Sequence, residues 1–195
     1  MSQDKMINKK LNSDNTDNFL DHGIDVENRI IHLVYEIDPV STALVITGLQ
    51  LMVAKTRDKP IDIYINSMGG DPYSSFGLYS FIRTLHDVTI NTYNIGCAMS
   101  GASIIFLAGD NRYMYKYTAF MFHSVSSGAN GKVHLDLEDE VIECKQIHKD
   151  LCEIYAAHTN KTERQWDTLI KHKDRYYRSD KALELGIVHK VIERT

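Results

Sequence analysis

Between residues 29 and 123 the chain alternates strand-like apolar runs with helix signals, passing from one to the other through small residues. "RIIHLVY" (29–35) reads as a strand. Ser41 can then cap a helix through about Thr56, with Leu44, Val45, Leu51 and Met52 among its buried positions. "IDIYINS" (61–67) is a second strand, followed by the turn Met68-Gly69-Gly70. Asp71 as N-cap and Pro72 as first helical residue then start a helix that runs to about Leu85. Phe76, Tyr79, Ile82 and Leu85 share its apolar face. "VTINTYNI" (88–95) is a third strand, a small-residue turn spans Gly96 to Gly101, and a short apolar helix runs from Ser100 to Ala108. Strand and helix in alternation predict an α/β fold, its strands largely parallel and joined by right-handed crossovers.

The remainder keeps the same grammar. "YMYKY" and "TAFMFH" are strand-like and end at His123, and "SVSSGANGKVH" is a glycine-bearing loop. From about Leu135 to His158, Val141, Cys144, Ile147, Leu151, Ile154 and Tyr155 recur at helical period, on a long helix charged on its far face. A helix at about 162–172, a short one around Ser179–Leu185 and the strand "IVHKVI" close the sequence. The first 18 residues are polar and rich in Asn, Lys and Asp, without a signal-peptide core, and are expected to be a flexible tail. Residues 19–195 are then expected to form a single domain.

Composition removes some functions. A net charge of −4, with Lys and Arg dispersed, disfavours a nucleic-acid partner. No apolar run approaches the roughly 20 residues of a membrane span. Cys144 and Cys152 sit about 12 Å apart by helical rise, too far to bridge, and Cys97 has no CxxC partner. A reduced, cytoplasmic setting follows as the expectation.

Two glycine turns, Gly69-Gly70 and Gly96 to Gly101, each meet the start of a helix. Backbone N–H groups there have no helical acceptor and lie at the positive end of the dipole. Converging, they could serve a developing oxyanion, a phosphate or a carboxylate; the plainer alternative is that glycine only permits a tight turn. Neither turn matches GxGxxG or GxxxxGK[ST], so a nucleotide cofactor has no support. Ser100 lies at the second turn, with Gly101 supplying the next N–H. A serine hydroxyl needs a base, and the base an orienting acceptor. His123 at a strand end and Asp174 after a helix can fill those roles, although the order Ser…His…Asp differs from the GxSxG hydrolases. A helix-start serine is more often a simple cap, and nine histidines dilute the case for any one. Cys97 is an alternative thiol nucleophile, or merely a small buried residue. "DLEDE" (136–140), placed before a helix, reads as a solvated face rather than a metal site, and Tyr113, Tyr115 and Tyr117 as packing in strand alternation.

Four ordered motifs nonetheless carry a family resemblance. "YINSMGGDPYSSFGLYSFIR", "GCAMSGASIIFLAG", "FMFHS" and "AAHTNKTERQWDTLIKHKDRYYRSDKALELGIVHKVI" resemble the corresponding segments of the ClpP family, the proteolytic subunits of Clp proteases. The resemblance covers about Asn28 to Ile192. It implies a ClpP/crotonase-like fold of repeated ββα units with a protruding handle helix, the handle region lying at about 124–158. It also implies a serine endopeptidase with Ser100 as nucleophile, His123 as general base, Asp174 as orienting acid, and Gly70 and Gly101 as backbone oxyanion donors. Seven-membered rings stacked as a tetradecamer, a hexameric Clp ATPase that consumes the ATP, and no cofactor in this subunit complete the implied picture.

Several residues depart from the family's pattern. Met68 stands where proline is usual, Gly101 where methionine is common, and Lys173 where arginine is usual. Asp62 falls near a position where the family carries an aromatic of its ATPase-docking pocket, while Tyr64 remains. These departures motivate a second expectation, a catalytically weak ring subunit that co-assembles with or modulates another ClpP. A crotonase-type acyl-CoA enzyme is a third reading, disfavoured by the combination of Ser100, His123 and Asp174.

Overall fold

The computed structural model describes residues 22–124, 134–171 and 173–194, so the expected tail and most of the loop after Ser124 lie outside the described residues. In chain order the elements are β1 Ile24–Asp25, β2 Ile30–Leu33, α1 Pro39–Lys55, β3 Ile61–Ser67, α2 Pro72–Arg83, β4 Ile90–Met99 and α3 Gly101–Leu107. There follow β5 Asn111–Tyr115, β6 Ala119–Phe122, α4 His134–His158, α5 Glu163–Ile170, β7 Arg175–Tyr177, α6 Ser179–Glu184 and β8 Lys190–Ile192. The α/β class is as expected, a mixed sheet with helices in alternation consistent with the ClpP fold.

The sheet runs β1-β2-β3-β4-β5-β8, with β6 pairing both β4 and β7. All pairs are parallel except β1 with β2 and β6 with β7. The central strand β4 changes partner along its length. Asn91 to Asn94 pair with β5, whereas Cys97 to Met99 pair with β6. The switch falls at Gly96, where a Cβ would lie 2.2 Å from Asn66 Oδ1. Asn94 stitches the break by donating from Nδ2 to Ala119 O at 2.9 Å and accepting at Oδ1 from Gly96 N.

On β3, Ile61, Ile63 and Ile65 are fully buried, and Leu49 and Met52 of α1 and Leu78 of α2 join the same core. Each such side chain contributes about 1.5–3 kcal/mol by leaving water. The alternate positions carry an in-register row of rings, with His32–Tyr64 centroids at 5.2 Å, Tyr64–Tyr93 at 4.6 Å and Tyr93–Tyr113 at 4.9 Å. Tyr113 therefore packs as expected, but Tyr115 and Tyr117 are exposed. Parallel strands put like positions side by side, and the row is the result.

Several expectations need correction. Helix α1 begins at Pro39 with Asp38 as N-cap, not Ser41. Asp38 Oδ1 accepts from Ser41 N at 2.6 Å, and Ser41 Oγ accepts from Asp38 N at 2.9 Å, a reciprocal capping box with proline at the first turn. Leu44 and Leu51 are exposed, while Val45 and Met52 are buried. β4 continues through Gly96 to Met99, because Cys97 to Met99 gain a partner in β6, and the turn shrinks to Ser100. "DLEDE" lies inside the first turns of α4 rather than before them. The closing strand shortens to Lys190–Ile192, since Ile187 N bonds back to Ala182 O at the end of α6. Strand β7 was not expected at all.

Candidate active site

Ser100 closes β4 and opens α3 with φ 50° and ψ −125°. Arg29 is the other positive-φ residue, glycines apart, among the described residues. Such backbone costs on the order of 1–3 kcal/mol and persists only where neighbours over-determine it. Here they do. Ser100 N donates to Met121 O at 2.9 Å, while Ser103 N and Ser103 Oγ donate to Ser100 O at 2.9 and 2.6 Å. Ser103 Oγ also lies 3.3 Å from the Tyr155 hydroxyl, which is fully buried, so that burial pushes the phenol well above its ordinary value. The Ser100 side chain makes no cap bond to its own helix. Its Oγ instead meets His123 Nε2 at 2.6 Å, which sets the cap-only reading aside.

The strand β6 brings His123 there. Cys97, Ala98 and Met99 pair with Ala119, Phe120 and Met121, so the residue after β4 and the residue after β6 emerge at the same edge. β7 delivers Asp174 by the same device, since Phe122 pairs with Arg175, next to Asp174. The approach stops short: His123 Nδ1 lies 3.9 Å from Asp174 Oδ1, beyond hydrogen-bond reach, and the Asp174 side chain is 55% exposed.

The two glycine-bearing segments meet. Ile37 N donates to Gly69 O at 2.9 Å and Asp71 N to Ile37 O at 2.7 Å. This pairing turns the Gly70 N–H away from Ile37 and toward Gly101. A Cβ on Gly69 would lie 2.8 Å from Gly101 N, and one on Gly101 would lie 3.6 Å from Gly70 N. At Gly101 that Cβ would also stand 2.2 Å from Ser75 Oγ, so a side chain after Ser100 requires Ser75 to shift. The N-cap of α2 supports the edge, Asp71 Oδ2 accepting from Ser74 N at 2.7 Å.

A cavity of about 110 Å³ opens beside Ser100 and His123, walled by Phe76 of α2, Ile104 of α3, and Ile147, Leu151 and Tyr155 of α4. Apolar surface predominates in its lining, beside the polar groups of Ser75, Ser100 and His123, and it suits a medium-sized apolar side chain. Beneath His123 the aromatics Phe122, Tyr155 and Trp166 pack with centroids 4.6–5.3 Å apart. Trp166 Nε1 donates to Thr159 Oγ1 at 2.8 Å, so the ring is buried without an orphaned donor.

Of the residues singled out from sequence, Ser100, His123, Gly70 and Gly101 converge, and Asp174 stands at their margin. Cys97 faces Asn66 and Met68 instead, its Sγ 3.5 Å from Asn66 Oδ1 and 3.7 Å from Met68 Sδ, and burial pushes its thiol up, away from the thiolate. Ser75, Ser103 and Tyr155 escaped the sequence reading, because only the crossing of α2, α3 and α4 brings them together.

A profile of the Clp protease family matches residues 19–195. The chain is 31% identical over 152 residues to the ATP-dependent Clp protease proteolytic subunit 2 of Gluconobacter oxydans (strain 621H), covering 75% of this chain and 66% of that one. It is 28% identical over 174 residues to the ATP-dependent Clp protease proteolytic subunit of Deinococcus radiodurans, covering 87% of this chain and 83% of the relative. With the family profile matching nearly its whole length, the chain belongs to the Clp protease family.

Proposed function

We propose that this chain is a serine peptidase that hydrolyses peptide bonds in unfolded polypeptides, as the proteolytic subunit of a Clp-type assembly. The observation that carries the reading is the 2.6 Å contact of Ser100 Oγ with His123 Nε2 on a positive-φ turn flanked by two converging backbone N–H groups. His123 Nε2 takes the hydroxyl proton as Oγ attacks the scissile carbonyl. The N–H groups of Gly70 and Gly101 hold the oxygen that becomes negative. The imidazolium then gives its proton to the leaving amine, and water, activated by the same ring, releases the acyl group from Ser100. Asp174, 3.9 Å from Nδ1, is the acid on the far side of the ring and serves to orient it when it closes that gap. The apolar cavity receives a substrate side chain and keeps the reacting bond in register with Oγ.

The relatives' names support a place as the proteolytic subunit of an ATP-dependent Clp protease; heptameric rings around a chamber, stacked as a tetradecamer and fed by a hexameric ATPase in the cytoplasm, belong to the same proposal. Among the described residues no helix is long and apolar enough to cross a membrane. The stand-off of Asp174 favours a second reading, a catalytically weak subunit placed in mixed rings with another ClpP. One experiment separates them. Purified full chain, sized by gel filtration, is treated with a fluorophosphonate probe and with a fluorogenic peptide. The peptidase reading expects labelling at Ser100 and turnover that falls at least about 10³-fold in Ser100→Ala, with assembly intact. Turnover retained in Ser100→Ala sinks it, and a correctly assembled but unlabelled wild type favours the weak subunit.

A further inference from the structure

Ser124, the residue after His123, belongs to a second hydrogen-bonded set that no step above uses. Its Oγ lies 3.0 Å from His148 Nδ1, and His148 Nε2 lies 2.9 Å from Asp167 Oδ1. The three side chains come from three elements: the end of β6, the middle of α4, and α5. Proton placement follows from the acceptor. A carboxylate only accepts, so Nε2 carries the hydrogen and donates it to Asp167. The neutral ring is then an acceptor at Nδ1, and the Ser124 hydroxyl donates to it. Cys152, one turn along α4, places Sγ 3.7 Å from the same Nε2, and burial pushes its thiol up to about 11, so it stays a neutral neighbour.

Position gives this set its meaning. Asp174, half-exposed and 3.9 Å from Nδ1, does not bond the ring that sits 2.6 Å from Ser100 Oγ. The backbone ladder of β6 fixes the chain as far as Phe122 and ends there. On the far side of His123, Ser124 is anchored through its side chain to His148. His123 is thereby suspended between a ladder on one side and an anchored hydroxyl on the other. The same α4 sends Ile147 and Leu151 into the cavity wall, one on each side of His148 in sequence.

We propose that His148 is a positioning residue for the reaction. Through Ser124 it fixes the backbone that carries His123, and Asp167 fixes the tautomer and tilt of His148. The role rests on the peptidase reading above. A bond set that only fastened α4 to α5 would lower Tm when cut and leave turnover per assembled molecule unchanged, so kinetics decides.

The test measures kcat and KM of the assembled full chain on a fluorogenic peptide with an apolar side chain before the scissile bond, with Ser100→Ala as control. Ser124→Ala and His148→Phe should each lower kcat about tenfold while KM stays within about twofold. The double variant should lose no more than either single one, because both cut the same link. Ser124→Thr keeps the hydroxyl and Asp167→Asn keeps an acceptor for Nε2–H, so both should stay within about twofold of wild type. Ser124→Ala removes a single hydroxyl and serves alone if His148→Phe fails to assemble. An unchanged kcat in Ser124→Ala, beside an inactive Ser100→Ala, overturns the positioning role and leaves the peptidase reading standing. A loss carried by KM overturns it too. A wild type as inactive as Ser100→Ala overturns both.

Discussion

Two imidazoles flank Ser124 in this molecule, and each lies between a serine hydroxyl and an aspartate. His148 has the more complete geometry, with contacts of 3.0 and 2.9 Å. His123 has one shorter contact, 2.6 Å to Ser100, and a carboxylate left at 3.9 Å. Judged by hydrogen bonds alone, the set around His148 would be chosen over the one proposed as reactive. What separates them is surroundings. Ser100 sits on strained backbone beside two free-facing N–H groups and an apolar cavity, whereas the serine of the other set follows an ordinary strand end. Donors for developing charge and a place for the substrate make chemistry out of a serine–histidine contact; a tidy bond set without them is architecture.

The comparison breaks most decisively at the two serines. Ser100→Ala should abolish turnover and labelling, a loss of at least about 10³-fold, whereas the tenfold effect expected at Ser124 leaves probe labelling in place. Next in size is Gly101→Ala. Its Cβ would stand 2.2 Å from Ser75 Oγ, so the turn must shift and the N–H with it, lowering kcat by about 10²-fold. Adding Ser75→Gly removes that hydroxyl and should restore a good part of the loss; no recovery in the double variant would mean that the contact with Ser75 Oγ was not limiting. Asp174→Asn comes third. Because the carboxylate is half-exposed and unbonded to Nδ1, kcat should fall about 10- to 100-fold, less than the roughly 10⁴ of a tightly bonded orienting aspartate. A full 10⁴-fold loss would show that Asp174 closes onto the ring during turnover.

The smallest effect concerns a third histidine. His158 is held by Tyr79, whose hydroxyl lies 2.8 Å from Nε2, and burial, with Arg112 and Arg83 nearby, lowers its pKa from 6.5 to about 4. Below pH 6.5 the unfolded chain takes up a proton that the native chain refuses until about pH 4. Its contribution to stability is therefore whole above that window and lost as pH falls through it. Tm should decline from pH 7 to pH 4, and His158→Gln should flatten the decline by a few degrees, read by thermal melts across that range.

Much of this was legible in the sequence, for identifiable reasons. Strand β3 spans Ile61–Ser67 as read, because alternating isoleucines flank a helix start that Asp71-Pro72 makes unambiguous. Ser100 and His123 could be nominated because each follows an apolar run. Asp174 could be nominated but not placed, since β7 is a three-residue strand whose only warrant is its pairing with β6. The start of α1 was misread at Ser41 because a capping box puts polar residues at both of its ends, and only the backbone says which is outside the helix. The set around His148 gave no local signal at all. Its members are 24 and 19 residues apart and meet through the packing of α4 on β6 and α5.

The bond from Ser100 N to Met121 O has one more consequence. The Ser100 amide is part of the ladder that holds the strand leading to His123, so its proton is shielded until β6 peels from β4. Hydrogen–deuterium exchange at that single amide then clocks the separation of Ser100 from His123. A molecule in which Ser100 exchanges slowly is one whose Ser100 and His123 have stayed side by side throughout.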